Sequence, residues 1–386
     1  MVLEPGARYE DRTKLGDTNS KIAAMVKLIT KEGPQINQIA RELGIHKETA
    51  RFWYKKLLRK GYTVQAVPDH ERLGLRRVVA LAEFTDEFRA YADAILMAMS
   101  ELCYLTSFAK TLPDDMYSIH ANVPQECTGD WIRFMYALRE RGLFSSIQAV
   151  PFEWGRVVPM RSDVYDFESD SWQYDWTSKL RVDAFSSKVA PSARGKFDLI
   201  DLGMIKQLQI NPDVSLKEIG AKLQVNYKTL TWHYRMHLLG SGLLKGYMIN
   251  WAGTRYDSKI ERALHRRHKY MWLELLVSNV TETERMELMA KISQLPFVWF
   301  EAGGQNYFAQ VAFPMETMTE ALSFIKDATS SIRRKAIFHL MDQANALRFS
   351  ITPTLYDQDS KSWTFNQKEL LAKFDSLVLE IKGMTS

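Results

Sequence analysis

Hydrophobic and polar positions follow two different periods along this chain, and the change from one period to the other happens twice. Residues 22–60 place apolar side chains every three or four positions, with breaks at Gly33-Pro34 and Gly44, which predicts three helices. From Arg77 the pattern predicts strand, helix, strand, strand, helix and strand. The same succession starts again near Ile200, so we predict two units of similar build.

Individual residues recur together with the pattern. Pairs 180 positions apart are Ile39 and Ile219, Leu43 and Leu223, Thr49 and Thr229. Further along, Tyr165-Asp166 and Trp172 recur 191 positions later as Tyr356-Asp357 and Trp363. The offset grows slowly in one direction, as expected of a tandem duplication with small insertions. A period this long excludes a solenoid, whose repeats run to roughly 20–50 residues.

The predicted fold class is α+β, with two tandem units that each consist of a winged helix-turn-helix followed by a ferredoxin-like βαββαβ domain. We expect a flexible arm at residues 1–19, helix-turn-helix domains at 20–75 and 199–264, and ferredoxin-like domains at 76–159 and 265–355. Residues 160–198 are predicted to form an acidic, aromatic strap and a linker. A second strap and a final helix are expected at 356–386.

The helix-turn-helix pattern predicts contact with double-stranded DNA. Its second helix braces the third, so that the outer face of the third can enter the major groove. In the first unit this face carries His46, Lys47, Glu48, Arg51, Lys55, Lys56 and Arg59. In the second it carries Asn226, Tyr227, Lys228, Thr231, Trp232 and Arg235. Because the two faces differ, we predict two unlike half-sites.

Positive charge is concentrated in the same two segments. Residues 21–77 hold 13 Lys/Arg against 5 Asp/Glu, and residues 199–269 hold 12 against 5. The whole chain is only +5, so the remainder carries −10. Such asymmetry favours a polyanionic partner.

These residues resemble a known family. Residues 36–75, which end in Leu73-Gly74-Leu75, resemble the winged helix-turn-helix of the Lrp/AsnC family of prokaryotic transcription regulators, and the resemblance implies an archaeal source. The βαββαβ segment resembles that family's ligand-sensing and dimerising domain. The resemblance implies a small-molecule effector bound near turns between strands, here Asp115, Gly303 and Gly304. The family's glycine-then-aspartate pattern is missing from these turns, so amino-acid sensing is not expected.

The remaining chemistry is sparse. His233 and His237 have the spacing of zinc ligands, but the sequence pairs no cysteine or carboxylate with them. The first unit has Trp53 and Leu57 there, so we predict no metal site and no cofactor. Cys103 and Cys127 fit small apolar fillers in a reducing cytoplasm. No nucleophile motif, P-loop or GxGxxG occurs, so we predict that the chain is not an enzyme.

The leading hypothesis is a cytoplasmic, nucleoid-associated DNA-binding regulator, with an effector and homodimer formation left open. No apolar run predicts a membrane span, and residues 1–20 lack the core of a signal peptide. Two alternatives remain. One is an enzyme resembling siroheme decarboxylases, which share this fold as paired subunits. The other is a non-specific architectural DNA-binding protein, whose affinity would depend steeply on salt.

Overall fold

Two units with the same order of elements make up the chain in a computed structural model, which describes residues 7–176, 194–252 and 268–383. The helix-turn-helix of the first unit comprises α1 (Ala7–Glu32), α2 (Ile36–Glu42) and α3 (Lys47–Arg59), followed by strand β1 (Thr63–Pro68). Its second domain comprises β2 (Leu75–Phe84), α4 (Asp86–Arg89), α5 (Ala92–Leu102), β3 (Leu105–Leu112), β4 (Tyr117–Pro124), α6 (Thr128–Glu140) and β5 (Phe144–Pro151). Strands β6 (Trp154–Val157), β7 (Tyr165–Asp166) and β8 (Ser171–Trp172) follow.

The second unit repeats this order. Its helix-turn-helix comprises α7 (Leu199–Ile210), α8 (Leu216–Leu223) and α9 (Tyr227–His233), which continues as a π-helix (Tyr234–Gly240), and then β9 (Leu244–Asn250). The following domain comprises β10 (Tyr270–Val277), α10 (Glu282–Ile292), β11 (Val298–Gly303), β12 (Tyr307–Pro314), α11 (Met318–Ala328) and β13 (Ala336–Arg348). Strands β14 (Tyr356–Asp357) and β15 (Ser362–Trp363) and helix α12 (Gln367–Gly383) end the described chain.

A nine-stranded antiparallel sheet joins the two ferredoxin-like domains, in the order β5-β2-β4-β3-β13-β10-β12-β11-β6. Edge strand β3 of the first unit pairs with edge strand β13 of the second, with Lys110 opposite Asp342. Strand β6, which belongs to the first unit, pairs with β11 at the far edge. Pairing satisfies backbone groups that an edge strand would otherwise expose. The two units therefore pair with each other within one chain.

The helix-turn-helix domains are joined in the same reciprocal way. Strands β1 and β9 form a two-stranded antiparallel ribbon, with Thr63 opposite Asn250. Helix α1 packs on β9, and α7 packs on β1. The Tyr54 hydroxyl, from α3, donates a hydrogen bond of 2.8 Å to the Asp213 carboxylate. Helix α3 is thus anchored on elements of both units.

Two aromatic straps tie the units together. Strap 1 (residues 165–176) receives a hydrogen bond from Lys60 Nζ at the Phe167 carbonyl, 2.6 Å away, and packs Trp172 against Trp251 and Phe297 of the second unit. Strap 2 (residues 356–366) donates from Trp363 Nε1 to the Leu73 carbonyl at 2.7 Å. Strap 1 therefore contacts both units, and strap 2, which belongs to the second unit, contacts the first.

The predicted fold class is confirmed, with local differences. Helix α1 begins at Ala7, so the predicted arm is helical from that residue. The reason is that residues 7–19 contain no proline and one glycine, Gly16, which costs a helix only about 1 kcal/mol. The first helix predicted after Arg77 is divided into two short helices, α4 and α5. Parts of the predicted linker and of the second helix-turn-helix domain, residues 177–193 and 253–267, lie outside the described chain. No described helix combines the length and apolar character needed to cross a bilayer.

Asp170 of strap 1 gives a test of this inter-unit contact. Its carboxylate accepts hydrogen bonds from the hydroxyls of Tyr62 (2.7 Å) and Tyr165 (2.8 Å) and meets Lys269 Nζ at 2.7 Å. Replacement by alanine leaves these donors without their acceptor and removes a residue suited to φ +59°. We expect D170A to lower the free energy of unfolding by about 2–4 kcal/mol in urea titrations.

The matched control is Lys361, which has φ +51° at the equivalent position of strap 2 and is exposed. K361A should change the free energy of unfolding by no more than about 0.5 kcal/mol. Equal effects of D170A and K361A would contradict a role for the Asp170 contacts.

Candidate nucleic-acid interface and ligand cavity

Helix α3 presents a basic face to solvent. Its inner side chains Ala50, Tyr54 and Leu57 are buried against the rest of the domain, as the spacing predicts. Of the predicted contact residues, Lys56 is half-buried and the others are exposed: His46, Lys47, Glu48, Arg51, Lys55 and Arg59. Glu48 forms a 2.6 Å ion pair with Arg51, so it neutralises part of this face. Four Lys/Arg side chains remain along one side of a braced helix.

The corresponding face of the second unit is more apolar. Asn226 caps α9 by accepting a 2.9 Å hydrogen bond from the Thr229 backbone. Tyr227 and Trp232 are 61% and 53% exposed, and Met236 and Leu239 are also exposed. Lys228 and Arg235 are exposed, whereas Thr231 is half-buried and bonds the Tyr227 carbonyl. This surface favours contact through rings and methyl groups over neutralisation of phosphates.

A cavity lies between the nine-stranded sheet and the β1–β9 ribbon. The volume of the cavity is about 110 Å³. Together with its open mouth, the space between the walls is about 990 Å³. Both units contribute walls. The aromatic wall residues are Trp154, Trp299, Phe300 and Phe349. The mixture of rings and polar groups in its walls is typical of a site for a small organic ligand.

Cationic side chains outnumber carboxylates in this wall. The cations are Arg76, Arg77, Arg156, Lys245 and Arg348, against Glu71 and Glu153; behind the wall, Glu301 pairs with Arg156 and Asp69 with Lys245. The Arg348 guanidinium lies 3.9 Å from the Trp299 ring centre, and that of Arg77 lies 4.8 Å from the Phe300 ring centre. Stacking of this kind holds guanidinium groups in place without cancelling their charge. The cavity is therefore suited to a flat, anionic ligand.

Two further wall residues, Trp299 and His70, bear on what the cavity can bind. The Trp299 indole N–H is buried and has no hydrogen-bond partner among the described residues. A buried donor left in this state costs free energy, which a ligand acceptor could recover. Burial and the charges of Arg77 and Lys245 lower the pKa of His70 to about 3, so its ring is neutral near pH 7.

A buried polar network lies at the sheet side of the cavity. His120 Nε2 is 2.9 Å from the Glu274 carboxylate, which also accepts from the Ser118 hydroxyl and from Gln310 Nε2, both at 2.5 Å. Burial alone would raise the pKa of Glu274, but the nearby His120 and these hydrogen bonds bring it below its ordinary value. His120 belongs to the first unit and Glu274 to the second, so the network joins the two halves of the nine-stranded sheet.

His233, at the end of α9, and His237, in the π-helix that follows, share a carboxylate partner. Asp201, on α7, lies 2.8 Å from Nδ1 of His233 through one oxygen and 2.8 Å from Nδ1 of His237 through the other. Asp201 is fully buried, and burial raises the pKa of its carboxyl. The sequence could not identify it because it lies 32 positions before His233. This placement supplies the carboxylate that the sequence did not pair with the two histidines.

The predicted ligand residues occupy other places. Asp115 is in the β3–β4 turn, where it forms a 2.8 Å ion pair with Lys110. Gly303 ends β11, where an added Cβ would come within 2.3 Å of the Trp154 ring, and Gly304 follows at φ +151°. None of the three is among the described residues that line the cavity. Their role in binding stays a prediction.

Sequence reasoning missed the cavity because its residues come from distant segments. Arg76-Arg77 gave one usable signal, because paired arginines are unusual at the start of an otherwise apolar strand. Arg156, Lys245 and Arg348 gave none, since each becomes a wall residue only through the pairing between units.

Comparisons with known proteins agree with the fold. The family model HTH_Tnp_1, described as "Transposase", matches residues 18–91, which is less than half of the chain. No curated protein sequence matches significantly. The crystal structure of the siroheme decarboxylase NirDL covers 94% of this chain and 99% of its own, at 14% identity and a TM-score of 0.51. Its co-complex with an iron-uroporphyrin III analogue covers the same share of both, at 13% identity and 0.51.

Regulators of the AsnC family are also similar over a single unit. AsnC of E. coli covers 37% of this chain and 97% of its own, at 11% identity and a TM-score of 0.30. An AsnC-family protein of Pyrococcus furiosus covers 35% and 87%, at 20% identity and 0.27.

The prediction that the chain is not an enzyme is contradicted. An enzyme, siroheme decarboxylase, shares the fold over 94% of the chain. The prediction rested on missing sequence motifs, but a cavity built between two units leaves no contiguous motif.

The His120–Glu274 network gives a pH prediction. The pKa of Glu274 is lower in the folded protein than its ordinary value of 4.5, so the carboxylate stabilises the fold above that pH. This stabilisation is lost as the pH falls through the lowered pKa. We expect E274Q to lower the free energy of unfolding by about 1–3 kcal/mol at pH 7, and the difference from wild type to shrink below about pH 4.5.

Urea unfolding between pH 3 and 7 measures this difference. E287Q, at an exposed position of α10, is the control and should follow wild type throughout. A difference that stays constant across this pH range would contradict the assigned charge state of Glu274.

Proposed function

We propose that the protein is a DNA-binding transcription regulator whose first unit supplies most of the attraction to DNA. The observation that carries the proposal is the exposed basic face of α3, held on a helix-turn-helix whose inner side is packed. Such a face can bond both guanine edges and phosphates. The helix-turn-helix match over residues 18–91 supports the same assignment.

The two recognition faces are proposed to recognise unlike half-sites. Helix α3 offers arginine and lysine, whereas α9 offers Tyr227 and Trp232, which suit thymine methyl groups and sugar rings. Strand pairing between β1 and β9 supports a pair of readers supplied by one chain. A composite operator follows from this arrangement, with its halves one or two helical turns apart.

A small effector is proposed to bind in the cavity. Strands β1 and β9 line it, and each follows a recognition helix closely in the chain. A ligand that contacts Gln65 or Lys245 would therefore bear on the segments that orient α3 and α9. The cationic wall suits an anion better than an amino-acid zwitterion.

DNA binding can be tested with bound fragments selected from sheared genomic DNA at about 150 mM salt, followed by fluorescence anisotropy on the enriched site. We expect the double variant R51A/K55A to bind at least about tenfold more weakly, with a log affinity–log salt slope shallower by about 1–2. These changes follow from the loss of two groups that contact bases or phosphates.

The control is K326A/K368A, which removes two exposed positive charges from α11 and α12. It should bind as wild type does. Equal affinity of R51A/K55A and wild type would exclude α3 as the reader, and motif-free recovery would favour the architectural alternative.

A second candidate function is catalysis on a carboxylated tetrapyrrole, and the cavity is the observation that favours it. Its arginines and stacked rings match a flat polycarboxylate, and siroheme decarboxylase shares the fold. Decarboxylation replaces a carboxylate by a proton and releases carbon dioxide. In this candidate the arginines hold the carboxylates, and His120, oriented by Glu274, lies in the wall where a proton is needed.

Titration with iron-uroporphyrin III, followed by visible absorbance, tests this second candidate. We expect saturable binding that R76Q/K245Q weakens at least about tenfold, because a salt bridge or charged hydrogen bond is lost at each position. R133Q, exposed on α6, should leave the affinity unchanged. Affinity equal in all three proteins, or no binding, would exclude the cavity as a tetrapyrrole site. Mass spectrometry of the recovered porphyrin then reports decarboxylation directly.

A further inference from the structure

Asp201 is a charged group in an unusual environment. It lies in the first helix of the second unit, fully buried, with histidines and not Lys or Arg against its carboxylate. The remaining contact of that carboxylate is the Asp198 backbone N–H, 3.0 Å from Oδ2. Burial of a carboxylate is costly unless a positive charge or strong hydrogen bonds compensate for it.

The helix-turn-helix fold does not require this cluster. With the offset of 180 positions, the first unit has Lys21, Trp53 and Leu57 at the equivalent places. That unit forms the same three helices with no carboxylate or histidine at these three places. Asp201, His233 and His237 are therefore specific to the second unit, and helix packing alone does not explain them.

We propose that Asp201, His233 and His237 bind a divalent transition-metal ion. Imidazole nitrogen and carboxylate oxygen are the donors preferred by zinc, cobalt and related ions. One donor atom from each residue lies within 4.8 Å of the other two. Donors bonded to one zinc ion at about 2.0–2.2 Å in a tetrahedral site are about 3.3–3.6 Å apart. The 2.8 Å Asp201–His distances are those of direct hydrogen bonds, and an ion that replaced the shared protons would move these donors apart by about 0.5–0.8 Å.

The surroundings suit a bound ion. The Asp198 carboxylate lies 3.7 Å from His233 Nδ1, so a fourth donor is near. The His237 side chain is 23% exposed and provides a route of entry from solvent. The Trp232 ring lies 5.0 Å from the His233 ring and 4.6 Å from the His237 ring, and covers one side of the cluster.

The helix itself changes winding at this point. Residues Tyr227–His233 are α-helical and Tyr234–Gly240 form a π-helix, so the change falls between the two histidines. Segments of π-helix are rare and occur often at functional sites. An ion here would tie α7 to the recognition helix. Its effect on DNA affinity rests on the proposed function, whereas metal binding itself does not.

Metal binding can be measured on the full-length, tag-free protein after treatment with a chelator. Titration with Co²⁺ is followed by visible absorbance, and Zn²⁺ affinity is obtained by competition with a chromogenic chelator. We expect one equivalent of each ion to bind, and the melting temperature to rise with the ion present. H237L, which installs the residue of the first unit, and D201N should weaken binding at least about tenfold.

Two further variants keep the test decisive. H237Q changes a partly exposed side chain with less effect on packing, so it reports on coordination if H237L is poorly folded by circular dichroism. H268Q, at an exposed histidine in another segment, should bind as wild type does. Absence of stoichiometric binding, or equal binding in wild type and H237Q, would overturn the proposal. These readouts need no DNA, so their failure is separate from failure of the regulator hypothesis.

Discussion

The pairing of sheet edges between the two units is the constraint on which the rest of the structure depends. A ferredoxin-like sheet ends in strands whose backbone groups need partners, and here β3 meets β13, and β6 meets β11. The same principle joins β1 to β9 above the sheet. Because these pairings fix the ribbon over the sheet, they also create the cavity between them. The His120–Glu274 contact then lies where the two halves of the sheet meet.

The two units have the same fold but different surfaces. The first presents arginine and lysine on α3, while the second presents Tyr227 and Trp232 on α9 and holds a carboxylate–histidine cluster beneath. The cavity belongs to neither unit alone, since Arg76 and Arg348 reach it from opposite halves. The proposed DNA-binding face, cation site and anion site depend on different sets of side chains, so each can be altered separately.

Local patterns were sufficient to predict the fold. Helical spacing around Ile39 and Leu57, the glycine turn at Gly44 and the strand–helix order after Arg77 each act over a few residues, and the structure follows them. The winding of the π-helix after His233 and the partner of Asp201 depend on contacts between helices, which no short window contains. The cavity depends on contacts between units, as the Arg348–Trp299 stack illustrates. Outward-facing positions of α3 were predictable for the same reason as the fold, because helix geometry alone sets them.

The fusion of both units in one chain has an evolutionary consequence. In a symmetric homodimer every mutation is made in both halves, so a site at the interface changes in two places at once. Here Asp170 can accept two tyrosine hydroxyls while Lys361 occupies the equivalent position in solvent. A gain in one half need not be tolerated in the other. Divergence can therefore proceed one residue at a time at an interface that remains permanently assembled at any dilution.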